Sequence, residues 1–195
     1  MPFFTQVRAT PNLLTLLRLF IVPFIVIEIL DGDFRLAFAL FLLAGITDAL
    51  DGLLARWLSQ RTTLGQYLDP IADKLLLSTL FLVLTHVALI PRYVTVLVFS
   101  RDLGILLIST LLFATGTLRD FRPSILGKLN TLIQILGLIA VLSERVCATS
   151  GLAVAEGWLS SIAGVLLRAI AVLAPLSAAQ YAWIVLRRVN SPSAV

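Results

Sequence analysis

Reactive and charged side chains are scarce in this chain. The single cysteine, Cys147, excludes an internal disulfide and reads as a small buried hydrophobe. The single histidine, His86, sits in an apolar stretch, where a hydrogen bond or an interfacial position accounts for it better than a ligand role. Only 13% of the 195 residues are charged, against about 25% in a soluble domain. No long polar stretch is available to build a second, soluble domain, and there is neither a repeat nor a low-complexity segment. The basic residues form no run and no nucleic-acid motif appears, so a net charge of +4 reads as membrane topology rather than nucleic-acid binding. No small-residue cleavage site stands out near the start, and the first apolar segment reads as a retained helix.

What is abundant is apolar surface. Hydrophobic residues make up 59% of the chain, and the mean hydropathy is +1.01. These values predict an all-α integral membrane protein, one domain over residues 1–195. A spanning helix needs about 20 residues, and six segments qualify, near 12–30, 34–58, 66–90, 93–116, 124–148 and 158–186. Turn signals separate them: Asp31-Gly32-Asp33, Ser59 to Gly65, Pro91-Arg92, Gly116 to Pro123, and Ser150-Gly151 to Gly157.

Lysine and arginine set the expected orientation. With both termini on one side, that side holds eight basic residues: Arg8, Arg56, Arg61, Arg119, Arg122, Lys128, Arg187 and Arg188. The other side holds three, Arg35, Arg92 and Arg145. The bias places both termini and the 56–65 turn in the cytoplasm. Trp57, Trp158 and Trp183 fall near expected helix ends, as interfacial anchors do.

Against this background the four aspartates Asp48, Asp51, Asp69 and Asp73 stand out, all inside membrane-length helices. Ionised groups at membrane depth cost several kcal/mol each, which makes them a functional hypothesis by default. Asp48 and Asp51 are three apart and Asp69 and Asp73 four apart, so each pair lies on one helix face. The pairs mirror each other about residue 60, so an antiparallel hairpin would bring all four to similar depth. From Asp51 to the turn is about nine residues, roughly 13 Å along a helix. Such a site is recessed from the cytoplasm but within reach of water and a nucleotide.

Four carboxylates together repel, and bound hard cations with oxygen ligands are the usual remedy. Two other readings compete. One is ion-paired helix packing with Arg56 and Lys74, but two bases do not neutralise four acids. The other is an ion transporter lined by carboxylates. That accounts for the acids but not for Gly52, Ala55, Arg56 and Gly65 at their spacings. Elsewhere, Arg101 and Asp102 sit inside the fourth helix. Adjacent positions do not share a helix face, which argues against an ion pair between them.

The fixed residues Asp48, Asp51, Gly52, Ala55, Arg56, Gly65, Asp69 and Asp73 fit the pattern D-x2-D-G-x2-A-R-x8-G-x3-D-x3-D. The chain thereby resembles the CDP-alcohol phosphotransferase family over roughly residues 10–140. Pro11-Asn12 with Thr15 and Arg18 is similar to the first helix of that family. The resemblance implies six membrane helices with a polar metal site on the cytoplasmic side, and a homodimer. It also implies transfer of a substituted phosphate from a CDP-linked donor to an alcohol, with release of CMP. Two divalent ions, Mg2+ or Mn2+, would be held by Asp48, Asp51, Asp69 and Asp73. Asp73 would also act as general base on the acceptor hydroxyl. Asp48, Gly52, Ala55, Arg56 and Gly65 would bind the CDP moiety.

Residue chemistry is compatible with these roles. Gly52 and Ala55 lack bulk, so a nucleotide can approach the helix backbone. Arg56 offers a planar, forked set of donors to phosphate. Pro70 falls in the first turns of its helix, where a missing N–H costs least.

The resemblance implies CDP-diacylglycerol as donor and a phospholipid or polyol phosphate as acceptor. Ser100-Arg101-Asp102, Leu89-Ile90-Pro91 and the run Lys128-Leu129-Asn130-Thr131-Leu132-Ile133-Gln134 are similar to cardiolipin synthases of this type. These point to phosphatidylglycerol as acceptor. A phosphatidylglycerophosphate synthase, using glycerol 3-phosphate, is the alternative. Its acceptor is a dianion that favours more cations, and Asn130 stands where those enzymes usually carry a second lysine. Arg101, Arg122 and Lys128 are the expected acceptor-binding residues. With one histidine, the paired H-x-K motifs of phospholipase D chemistry are impossible.

Overall fold

The computed structural model describes residues 10–57, 63–114 and 125–190, with side chains over 15–50, 72–108, 110 and 125–187. All regular structure among them is helical: α1 (Thr10–Asp31), α2 (Phe34–Trp57), α3 (Thr63–His86), α4 (Arg92–Ala114), α5 (Ile125–Thr149) and α6 (Ala153–Asn190). The helices match the six apolar segments to within a few residues at most ends. Of the turns expected over 59–65 and 116–123, residues 59–62 and 116–123 lie outside the described residues, and 63–65 already belong to α3. Among the described residues two helical stretches, Ile125–Thr149 and Ala153–Arg187, are long and apolar enough to cross a membrane by length and composition.

The chain forms two compact units. The first holds residues 1–89 and 142–157, and the second holds 90–141 and 158–195. In the first unit a two-residue connection joins α1 to α2. Gly32 adopts a positive φ of 83°. The Asp33 amide donates to the Glu28 carbonyl at 2.9 Å, closing α1 in a Schellman turn. Asp33 then begins α2: its Oδ1 accepts from the Leu36 amide at 3.1 Å, an N-cap. One acid thus follows the stop of one helix and caps the start of the next, which forces α1 and α2 to run antiparallel as neighbours.

The same stop recurs twice. Gly151 has φ 71°, and the Leu152 amide donates to the Cys147 carbonyl at 3.1 Å. After α3 the residue in that position is Ala88, with φ 59°; the Leu89 amide reaches the Leu84 carbonyl at 2.8 Å. Helix α3 therefore stops at His86, four residues short of the expected 90. Alanine carries a Cβ that disfavours this conformation, and its identity gives no turn signal. Arg35 ties the start of α2 to the end of α5, donating to Ser150 Oγ at 2.9 Å.

α1 packs against both α2 and α3. Its buried stripe is Thr15, Arg18, Ile21, Ile25 and Ile29, spaced three or four residues apart. α2 contributes Ala37, Phe41, Ala44 and Thr47, and α3 contributes Ala72, Leu76 and Leu80. Small residues on these stripes let helix backbones approach closely. In the second unit, a Cβ placed on Gly137 of α5 would lie 3.0 Å from Ile170 Cδ1 of α6, so those helices are also close.

Polar groups are buried within the largely apolar core, while many large apolar side chains are exposed. Arg18, Arg101, Asn130 and Gln134 are buried, while Phe20, Val96, Leu106 and Val165 are exposed. An apolar exterior over a partly polar interior suits a lipid environment.

Candidate active site

The first unit brings three charged side chains together. Asp48 follows Thr47 at the end of the buried stripe of α2, and Asp73 follows Ala72 on α3. Arg18 enters between them from α1. Its Nη2 lies 2.7 Å from Asp48 Oδ1, and its Nη1 lies 2.5 Å from Asp73 Oδ1. The Arg18 side chain is 1% exposed, while Asp48 and Asp73 are 46% and 47% exposed. The cation is therefore internal, and the two carboxylates face outward from it. Both acids are within reach of a ligand arriving from the side opposite Arg18.

One carboxylate from each half of the motif thus meets a single guanidinium. Asp51 lies one turn beyond Asp48 on α2, and Asp69 one turn before Asp73 on α3. The side chains of Asp51, Gly52, Ala55, Arg56, Gly65 and Asp69 lie outside the described residues, as does all of Arg122. Asp48 and Asp73 supply the carboxylate oxygens that hard divalent ions such as Mg2+ prefer; among the described residues no group of three or more acids, histidines or cysteines is assembled.

Arg18 entered the sequence analysis only through the first-helix resemblance, with no role in the site. Its signal was a lone cation within an apolar helix, the pattern that marks a buried, paired charge. The competing ion-pair reading had looked for bases close in sequence, Arg56 and Lys74. Asp48 and Asp73 share a base from 30 and 55 residues upstream.

The second unit holds Arg101 and Lys128. Arg101 is buried, and its Nε donates to Ser177 Oγ of α6 at 3.1 Å. Contrary to the expectation for adjacent positions, Arg101 Nη1 also pairs with Asp102 Oδ1 at 2.6 Å. The long arginine side chain turns back around the helix, so backbone facing does not decide the matter. Lys128 is exposed on α5. Two and six residues on from it, Asn130 and Gln134 are buried on a common face of the helix. Arg168 lies back along its own helix, with Nη2 3.5 Å from the position a Cβ would take on Gly164.

Comparison with known proteins agrees with the motif. The family described as CDP-alcohol phosphatidyltransferase matches residues 8–171. A human protein named cardiolipin synthase (CMP-forming) is 36% identical over 154 residues, covering 70% of this chain and 50% of its own length. A probable phosphatidylglycerophosphate synthase of Mycobacterium tuberculosis is 37% identical over 129 residues, 63% of this chain and 60% of its own length. The CDP-diacylglycerol–glycerol-3-phosphate 3-phosphatidyltransferase of Bacillus subtilis is 33% identical over 147 residues, 68% of this chain and 75% of its own. The chain spans about half the length of the human and rat relatives it matches. With the family match running from residue 8 to residue 171, and Asp48 and Asp73 of the motif meeting on Arg18, the chain belongs to the CDP-alcohol phosphatidyltransferase family.

Proposed function

We propose that this chain is a membrane-embedded, divalent-metal-dependent phosphatidyltransferase that takes CDP-diacylglycerol as donor and phosphatidylglycerol as acceptor. The observation that carries the reading is the convergence of Asp48 and Asp73, from opposite halves of the motif, at half-exposed positions on one internal cation. Family membership supplies the reaction type.

In this reading the acceptor hydroxyl oxygen attacks the phosphorus of the diacylglycerol phosphate. The bond from that phosphorus to the CMP oxygen breaks, CMP leaves, and Asp73 takes the hydroxyl proton. Asp48, Asp51, Asp69 and Asp73 would hold two Mg2+ or Mn2+ ions. When bound, these neutralise charge on the pyrophosphate and the leaving group. Arg56 supplies forked donors to the donor phosphates, while Gly52, Ala55 and Gly65 leave room for the nucleotide. Arg101, Arg122 and Lys128 orient the acceptor phosphate.

Phosphatidylglycerol is favoured over glycerol 3-phosphate by Ser100-Arg101-Asp102 and by Asn130 in place of a second lysine. The protein names among the relatives cover both products, so glycerol 3-phosphate stays as the second reading. Purified protein in liposomes with CDP-diacylglycerol and Mg2+ tests the class of activity. CMP release on adding acceptor is expected; cation flux without CMP release would point to a transporter and overturn the reading.

The same reading makes residues 1–195 one membrane domain of six spanning helices, paired as a homodimer, with both termini and the active site in the cytoplasm. Eight basic residues against three support that orientation. In a Cys147→Ser background, Ser193→Cys in intact cells is expected to resist an impermeant thiol reagent and to react once the membrane is opened. Labelling from outside intact cells would reverse the orientation and the side of catalysis.

A further inference from the structure

We propose that Arg18 is a positioning residue of this site, a forked internal cation that holds Asp48 of α2 and Asp73 of α3 at a set separation. The inference rests on the reading of those two acids as the donor-side and acceptor-side carboxylates.

Three observations carry it. The first is burial: Arg18 is 0% exposed, on a stripe otherwise made of Thr15, Ile21, Ile25 and Ile29. A charge in that place is costly unless it is paired. The second is the fork. Nη2 serves Asp48 and Nη1 serves Asp73, so the rigid plane of one guanidinium spans two helices. A lysine ammonium at the same place is a point charge without that fixed spacing. The third is direction. Both acids remain about half exposed, at 46% and 47%, while Arg18 lies behind them. The cation therefore leaves the outer side of the carboxylates for substrate and metal.

Without Arg18, Asp48 and Asp73 repel, and the helices that carry them lose the tie through α1. The acceptor-side carboxylate then drifts relative to the donor-side one. Misplacement of about 1 Å costs up to roughly 100-fold in rate. The effect falls on the chemical step more than on donor binding.

The test compares Arg18→Lys and Arg18→Met with wild type, by steady-state CMP release and by thermal unfolding in detergent, in EDTA and in Mn2+. Arg18→Lys is expected to lower kcat by about 10-fold to 100-fold, with KM for CDP-diacylglycerol within about threefold of wild type. Arg18→Met is expected to lower the unfolding midpoint in EDTA. Adding Asp73→Asn to it should restore part of that loss, because one of the two repelling charges is gone. Mn2+ should raise the midpoint of Arg18→Met by more than that of wild type, since the ion replaces the missing countercharge. Wild-type kcat in Arg18→Lys would overturn the proposal. So would Asp73→Asn failing to recover stability in Arg18→Met; should that single variant not fold, Arg18→Gln takes its place in the cycle. If wild type releases no CMP, the functional reading fails instead, and the unfolding cycle still decides whether Arg18 couples to Asp73.

Discussion

Stripping divalent metal is expected to abolish CMP release, with a loss of about a thousandfold or more. Metal clamps on transferring phosphoryl groups contribute several kcal/mol of transition-state stabilisation, and each 1.36 kcal/mol is tenfold in rate. The motive is electrostatic. Arg18 faces Asp48 and Asp73, and Asp51 and Asp69 lie one turn away on the same two helices. Four carboxylates carry more charge than Arg18 alone supplies, and in the proposed mechanism the divalent ions balance the remainder. The measurement is CMP release by EDTA-stripped protein, then with Mg2+ or Mn2+ added back. Restoration by either ion is expected. Full activity in excess EDTA after stripping contradicts the two-metal mechanism.

Asp73→Asn is expected to cut turnover by about 100-fold to 10,000-fold, the usual contribution of a positioned general base. Donor binding should change much less, because the proposed role is on the acceptor hydroxyl. Asp48→Asn and Asp69→Asn should instead weaken metal and donor binding together. Asparagine at 73 also takes the charge from an ion pair with Arg18, so unfolding midpoints must accompany the kinetics. Wild-type turnover in Asp73→Asn would remove that residue from the role of base. A loss confined to KM for the donor would move it to nucleotide binding.

The number of helices and most of their ends could be read before any coordinates, because twenty-residue apolar runs and glycine turns are local signals. Gly32 and Gly151 mark their stops by residue type. Ala88 does not, since alanine gives no hint of a left-handed conformation, and the end of α3 was placed four residues late for that reason. The motif was legible through spacing along two helices. Its third component was not: Arg18 reaches Asp48 and Asp73 from a different helix, and no period or spacing links position 18 to positions 48 and 73. Arg101 teaches a related lesson. Backbone facing argued against a pair with Asp102, yet a long side chain bends enough to make one, while Ser177 from α6 holds its Nε.

The proposed activity is transfer of phosphatidyl from CDP-diacylglycerol to a second phospholipid. The most direct measurement supplies purified protein with labelled CDP-diacylglycerol, Mg2+ and equal amounts of phosphatidylglycerol and glycerol 3-phosphate, and identifies the labelled lipid formed. Cardiolipin, in step with CMP, is the predicted product. Phosphatidylglycerophosphate as the dominant product would contradict the assignment of the acceptor.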